Sequence, residues 1–251
     1  MLSVNIDPVL FKIGFLEIRY YGLVYVFGIL LTYFYLKRKK VLSEGELDKF
    51  MLYLTVGMFL GARIFGIMSQ DFFILLEDPF EFFRIWNGGM SFFGGFLGAT
   101  IGGYLVLKKR IFHFGDYVVL PVTFALILGR LANFVNQELV GTLTDVSWCF
   151  NFSTAIGCRH PYQIYAALSH LALFLFLFFL SRRNCRRGEV FGSFILGYSM
   201  LRFVTDFFRE NPKVMGLTGW QWLSILFFVV GVFYLRRIKK ARNKDNIIDE
   251  R

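Results

Sequence analysis

Apolar residues fall along this chain in seven long runs, each close to the ~20 residues that cross a bilayer as a helix. They cover roughly residues 20–36, 51–69, 91–107, 116–134, 162–181, 190–208 and 219–235. The pattern predicts an all-α, polytopic membrane protein with seven transmembrane helices, one domain over residues 1–251 and no internal repeat. The intervening segments differ in kind. Residues 1–19 mix apolar and charged positions and predict an interfacial arm. Residues 135–161 form the longest polar connection and predict a small ordered head with a short hairpin at Ser147–Phe152. Residues 236–251 are dense in charge and predict a solvated tail.

Polar residues inside the runs sharpen this picture. Arg63, Arg130 and Arg202 each lie 12 to 14 residues beyond the same end of their runs. At ~1.5 Å per residue they share one level, about 20 Å into the span. An arginine at membrane depth costs at least ~3 kcal/mol. One such residue usually finds a local acid or carbonyl, or extends to the interface. Three at one level predict a shared anionic ligand. Asn133 and Gln137 follow Arg130 at i+3 and i+7, on one helical face, with Glu138 and Gly141 just beyond. Tyr198, Arg202 and Asp206 repeat every four residues, which places Asp206 to neutralise Arg202. Gly94, Gly98 and Gly102 form a small-residue row that predicts close helix packing. Gly88 and Gly89, ahead of that row, predict a bent entry with exposed backbone N–H groups suited to an anion.

Composition agrees with the membrane reading. The chain is 56% hydrophobic and 20% aromatic, with 33 phenylalanines, against ~45–50% apolar residues in soluble domains. Mean hydropathy is +0.53. The net charge of +10 does not point to nucleic acid, because the basic residues cluster at the ends of the runs. Nineteen lie in the segments after odd-numbered runs and 6 on the opposite side. That bias places the N-terminus outside and the C-terminus in the cytoplasm. Three dispersed histidines and three cysteines without a C-x-x-C pair predict no metal site and no cofactor. Cys149 and Cys158 share the polar connection, and their spacing leaves a disulfide and two free thiols equally open.

Several stretches together resemble the bacterial prolipoprotein diacylglyceryl transferases. The central one is Gly129-Arg130-x-x-Asn133-Phe134-x-Asn136-x-Glu138-x-x-Gly141. Arg19-Tyr20-Tyr21-Gly22, Gly61-Ala62-Arg63, Gly88-Gly89-Met90-Ser91-Phe92, Arg159-His160-Pro161-x-Gln163-x-Tyr165 and Gly197-Tyr198-x-x-x-Arg202-x-x-x-Asp206 keep the family's order over nearly the whole chain. The resemblance implies a bacterial inner-membrane enzyme. It would move the diacylglyceryl group of phosphatidylglycerol to the lipobox cysteine of a prolipoprotein, forming a thioether and releasing glycerol phosphate. It implies catalytic roles for Arg130, Arg202, Asn133 and Glu138. It implies substrate contacts for Tyr21, Arg63, Gly89, Gly94, Gly141, Tyr198 and Asp206.

The chemistry suits these residue types. A phosphate ester leaves an unactivated carbon only when its developing charge is stabilised, and guanidinium groups in a poorly hydrated site do this. The nucleophile is the substrate's thiol, only a few per cent ionised at pH 7. The family usually carries a histidine where this chain has Phe93, so the resemblance leaves the proton acceptor open, with Glu138 and Asp206 as candidates. A lipid-binding membrane protein without catalysis is the competing class, though headgroup binding alone requires neither carboxylate. A transporter would call for broken helices and repeat symmetry, which the sequence lacks.

Overall fold

The computed structural model describes residues 2–4, 6–13, 16–68, 74–84 and 90–249; the side chains of 13, 16–18, 21, 75–76, 92–93, 109, 112–113 and 241–249 fall outside that description. Gly88, Gly89 and the side chains of Tyr21 and Phe93 therefore lie outside the described residues.

The chain is mostly helical: α1 (Tyr20–Lys39), α2 (Glu44–Met68), α3 (Ile74–Glu77), α4 (Phe92–Leu107), α5 (Ile111–Val135), α6 (Tyr162–Ser181), α7 (Glu189–Thr205) and α8 (Gly219–Asp249). Among the described residues, four stretches are long and apolar enough to cross a membrane: Glu44–Met68, Phe114–Val135, Tyr162–Ser181 and Gly219–Lys240. Gly94–Leu107 is apolar but shorter. The run at 190–208 does not stay α-helical. It becomes α7, of 17 residues, followed by a 3-10 turn at Asp206–Phe208, where the polar Asp206 is tied down from outside the helix.

Short strands accompany the helices. β1 (Leu2–Ser3) runs parallel to β4 (Phe150–Asn151), which pairs antiparallel with β5 (Cys158–Arg159). β2 (Val9–Ile13) and β3 (Leu16–Arg19) form a hairpin, so the expected N-terminal arm is extended chain. β6 (Lys213–Val214) and β7 (Leu217–Thr218) form another. The hairpin expected at Ser147–Phe152 is displaced. Phe150 pairs with Arg159 and Asn151 with Cys158, because the turn-forming residues lie later, ending at Gly157 with φ +83°. Cys149 and Cys158 are joined as a disulfide with Cα atoms 5.5 Å apart.

The chain divides into two compact units, residues 33–114 and residues 1–32 with 115–251. In the first, α2 and α4 pack backbone to backbone. A Cβ on Gly98 would lie 2.0 Å from the Gly57 carbonyl oxygen, and one on Gly94 2.1 Å from that of Gly61. The small-residue row thus serves helix approach, and Gly94 belongs to this seam. Leu36, Leu47, Phe50 and Leu107 are buried around it. Gly98→Ala is expected to cost at least ~1–3 kcal/mol, since the obstacle is backbone and cannot rotate away. It should lower the thermal midpoint in detergent. Gly22→Ala, with nothing within 4 Å of the added Cβ, should not.

In the second unit α6, α7 and α8 surround a core that includes Tyr162, Ala166, Leu173, Leu177, Val190 and Phe194. Asp116, near the start of α5, accepts hydrogen bonds from the backbone N–H groups of Gly188 at 2.5 Å and Phe191 at 2.7 Å. These are donors that the first turn of α7 leaves unpaired, and a carboxylate there also meets the positive end of the helix dipole. The contact fixes α7 against α5, and so sets the height of everything α7 carries.

Candidate active site

The second unit gathers most of the residues singled out from the sequence. Arg130 is half-buried near the C-terminal end of α5, and its Nη1 lies 3.5 Å from Asn133 Oδ1. Asn133, one turn on, is buried and donates through Nδ2 to Glu138 Oε2 at 3.2 Å. Asn136 Nδ2 donates to the other carboxylate oxygen at 3.1 Å. The Glu138 backbone is held as well: its N–H donates to the Asn133 carbonyl at 2.9 Å, and its own carbonyl accepts from Gln163 Nε2 at 2.6 Å. This folded-back turn is possible because Gln137 and Leu139 adopt φ values of 55° and 56°. Gln137 is therefore past the end of α5, not on the face of Arg130. It pins the following loop, accepting from Ser153 N–H at 2.6 Å and from Thr154 Oγ1 at 2.7 Å.

From there the chain runs extended between two neighbours. Gly141 bridges to Arg209, and Leu143 to Arg159. A Cβ on Gly141 would stand 2.2 Å from the His160 carbonyl oxygen and 2.8 Å from that of Phe208. Its smallness admits both neighbouring strands of backbone, which ties the end of α5 to the start of α6 and the end of α7. Arg159, buried beside it, donates to the Gly141 carbonyl at 3.0 Å and pairs with Glu210.

On α7, Arg202 Nη2 lies 3.3 Å from Asp206 Oδ1, the i, i+4 pair expected from the spacing. Arg202 Nη1 donates to the Tyr162 hydroxyl, and its Cζ is 5.9 Å from the Tyr162 ring centre and 5.7 Å from that of Trp220. Asp206 is 1% exposed. Its Oδ2 accepts from Thr218 Oγ1, and Asn211 Nδ2 lies 3.4 and 3.5 Å from its two oxygens. A carboxylate this committed holds Arg202 in place.

Within this unit a third arginine, Arg209, joins these two. The Arg209 Cζ is 5.7 Å from the centre of the Tyr162 ring that Arg202 also approaches. Two cations so placed are at most roughly 12 Å apart, where they repel by more than ~1 kcal/mol at an effective dielectric near 20. Burial pushes the Arg209 guanidinium below the ordinary arginine range; the charges of Arg202 and Arg130 act in the same direction, and Tyr162 and Asp206 act against them. Its Nε is buried without a hydrogen-bond partner. Three guanidinium groups within one another's fields make a site that an anion would relax.

Arg63 lies in the other unit and is 3% exposed. Its guanidinium is spent on the turn at Pro79–Phe83. It pairs with Glu81 Oε1 at 3.2 Å and donates to the carbonyls of Phe82 and Arg84, each at 3.0 Å, and to that of Glu81. These contacts hold Arg63 against that turn, and a sequence separation of 18 to 21 residues kept them out of the sequence reading.

Tyr198 faces inward and stacks on His170 of α6, with ring centres 5.5 Å apart and planes 13° from parallel. Three residues here were not singled out from the sequence: Tyr162, Arg209 and His170. For Arg209 a signal existed, since 202, 206 and 209 follow the i, i+4, i+7 pattern of one helix face.

A helical membrane protein that concentrates arginines on a buried tyrosine, with amides and carboxylates fixing them, defines a class before it defines a reaction. The chain belongs to the prolipoprotein diacylglyceryl transferase family, whose model matches residues 8–237. It is 38% identical over 262 residues to the phosphatidylglycerol--prolipoprotein diacylglyceryl transferase of Sinorhizobium medicae, covering 94% of each chain. It is 37% identical over 243 residues to the protein of that name from Geobacter sulfurreducens, covering 91% of this chain and 94% of the relative.

Proposed function

We propose that the protein transfers the diacylglyceryl group of phosphatidylglycerol to the lipobox cysteine thiol of a prolipoprotein, giving a thioether and glycerol phosphate. The observation that carries this reading is the pair Arg202 and Arg209 at Tyr162, within the field of Arg130, in a chain of this family. Arg130 and Arg202 grip the phosphate, whose planar-fork recognition by guanidinium is stronger and more directional than a point charge supplies. Charge accumulates on the leaving oxygen as the C–O bond breaks, and donors fixed beforehand stabilise it without reorganising. Asn133 transmits the position of Glu138 to Arg130. Tyr21 and Tyr198 contact the headgroup or the acceptor peptide.

The setting follows from the same reading. All seven apolar runs span the bacterial inner membrane, with the N-terminus outside and the basic tail in the cytoplasm, as the distribution of Lys and Arg supports. The cluster then faces the outer leaflet, where a disulfide such as Cys149–Cys158 persists. An apolar groove of about 310 Å³, lined by Leu23 and Phe27 of α1 and Leu128 and Leu131 of α5, suits an acyl chain.

The test is one incubation of purified protein with phosphatidylglycerol and a lipobox peptide, read by mass spectrometry. A diacylglyceryl adduct is expected, and none on the cysteine-to-serine peptide. Headgroup binding without adduct would leave the non-catalytic lipid-binding reading in its place.

A further inference from the structure

Thioether formation needs a group to take the thiol's proton. Of the side chains gathered here, the two carboxylates are already committed. Glu138 accepts from Asn133 and Asn136. Asp206 pairs with Arg202 and accepts from Thr218. Asn136 Oδ1 and Gln163 Oε1 are buried without partners, but amide oxygens are not bases at neutral pH. Among the buried side-chain atoms of the described residues, one basic lone pair has no hydrogen-bond partner: Nδ1 of His170. A buried polar atom with no partner is rare in folded proteins and calls for an explanation.

Its placement supplies one. His170 is 3% exposed and lies two turns along α6 from Tyr162, on the same buried stripe with Ala166 between them. Tyr162 holds Arg202. Across from His170 on α7, Tyr198 stacks on the imidazole, one turn before Arg202. From α5 the backbone of Leu126 bonds it, and the charges of Arg130 on α5 and Arg202 on α7 act on it. No carboxylate among the described residues acts on it. A histidine so surrounded serves poorly as packing, because it leaves a ring nitrogen dry in apolar surroundings.

Resting on the transferase reading above, we propose that His170 is the proton acceptor for the substrate thiol, working beneath the arginine clamp. The S–H bond breaks and its proton passes to Nδ1. The sulfur's electron pair forms the C–S bond, and the C–O bond's pair leaves with the phosphate of glycerol phosphate. On the reading above, Arg130 and Arg202 hold the lipid phosphate. A phosphate between them reverses the local field, and as its charge grows on C–O cleavage it stabilises the imidazolium that proton transfer creates. The proton then leaves with the phosphate monoester or to water. Proton transfer is therefore favoured when the lipid is bound, which ties ionisation of the thiol to the presence of its partner.

The test is the pH dependence of kcat/KM with phosphatidylglycerol vesicles and a lipobox peptide, for wild type, His170→Gln and Glu138→Gln. Loss of a general base typically costs 10²–10⁴-fold. We expect His170→Gln to lose about 10²-fold near pH 6.5. Its rate should then climb tenfold per pH unit toward the free thiol's pKa near ~8.5, closing most of the gap with wild type by about pH 9. Wild type should be much flatter over that range. Two results overturn the assignment while leaving the transferase reading intact: a uniform loss in His170→Gln with the wild-type profile, which marks a packing role, or the steep profile appearing in Glu138→Gln instead. Absence of adduct from wild type would defeat the transferase reading itself.

Discussion

Arg202→Ala is expected to lower diacylglyceryl transfer by about 10²–10³-fold, the loss typical when one fixed donor to a developing oxyanion is removed. Arg130→Ala is expected to match it. The fold should survive Arg202→Ala, because Asp206 keeps its bonds to Thr218 and Asn211 and Tyr162 keeps Arg209 beside its ring. Arg202→Lys retains the charge but not the fork that spans two phosphate oxygens, and it also loses the planar contact with Tyr162 and Trp220. It should fall between wild type and alanine. The measurement is kcat/KM for adduct formation, with the thermal midpoint in detergent taken on the same preparations. Wild-type turnover in either alanine variant would remove the arginine clamp from the mechanism.

The sequence made the helices visible because burial in lipid leaves a one-dimensional record, a run of apolar residues of fixed length. The Gly94, Gly98 and Gly102 row was equally plain, since helix packing against α2 needs smallness at a regular spacing. The Arg202–Asp206 pair could be read for the same reason: it lies within one helix, at i, i+4. What stayed hidden depended on residues brought together from separate elements. Arg63 finds its carboxylate and carbonyls in a turn that has no periodicity. Tyr162 joins Arg202 to Arg209 from another helix, and nothing in the stretch around Tyr162 announces it. His170 reads along the chain as one more residue of an apolar helix; only the missing partner at Nδ1 sets it apart. The pairing of Cys149 with Cys158 likewise required the register of Phe150 with Arg159.

Asp206→Ala is expected to destabilise the protein by about 3–5 kcal/mol, the usual consequence of removing one partner from a buried ion pair. The side chain is entirely shielded from solvent, while that of Arg202 is 11% exposed, so water cannot replace the lost charge well. The loss also strips the arginine cluster of the carboxylate that contacts it from the turn after α7, leaving Arg202 beside Arg209 at Tyr162 without its counter-ion. Asp206→Asn should cost less, since an amide oxygen still accepts from Thr218, but it removes the charge and should lower the thermal midpoint all the same. These two variants separate holding from proton transfer. A holding residue loses stability, and whatever folded enzyme remains shows the wild-type pH profile because its proton acceptor is untouched. Were Asp206 the acceptor, Asp206→Asn would melt normally and lose the acid limb of its rate profile. The geometry favours the first outcome: a carboxylate with both oxygens occupied must break a bond to Thr218, Asn211 or Arg202 before it can take a proton, and each break exposes Arg202 to the repulsion that Asp206 offsets.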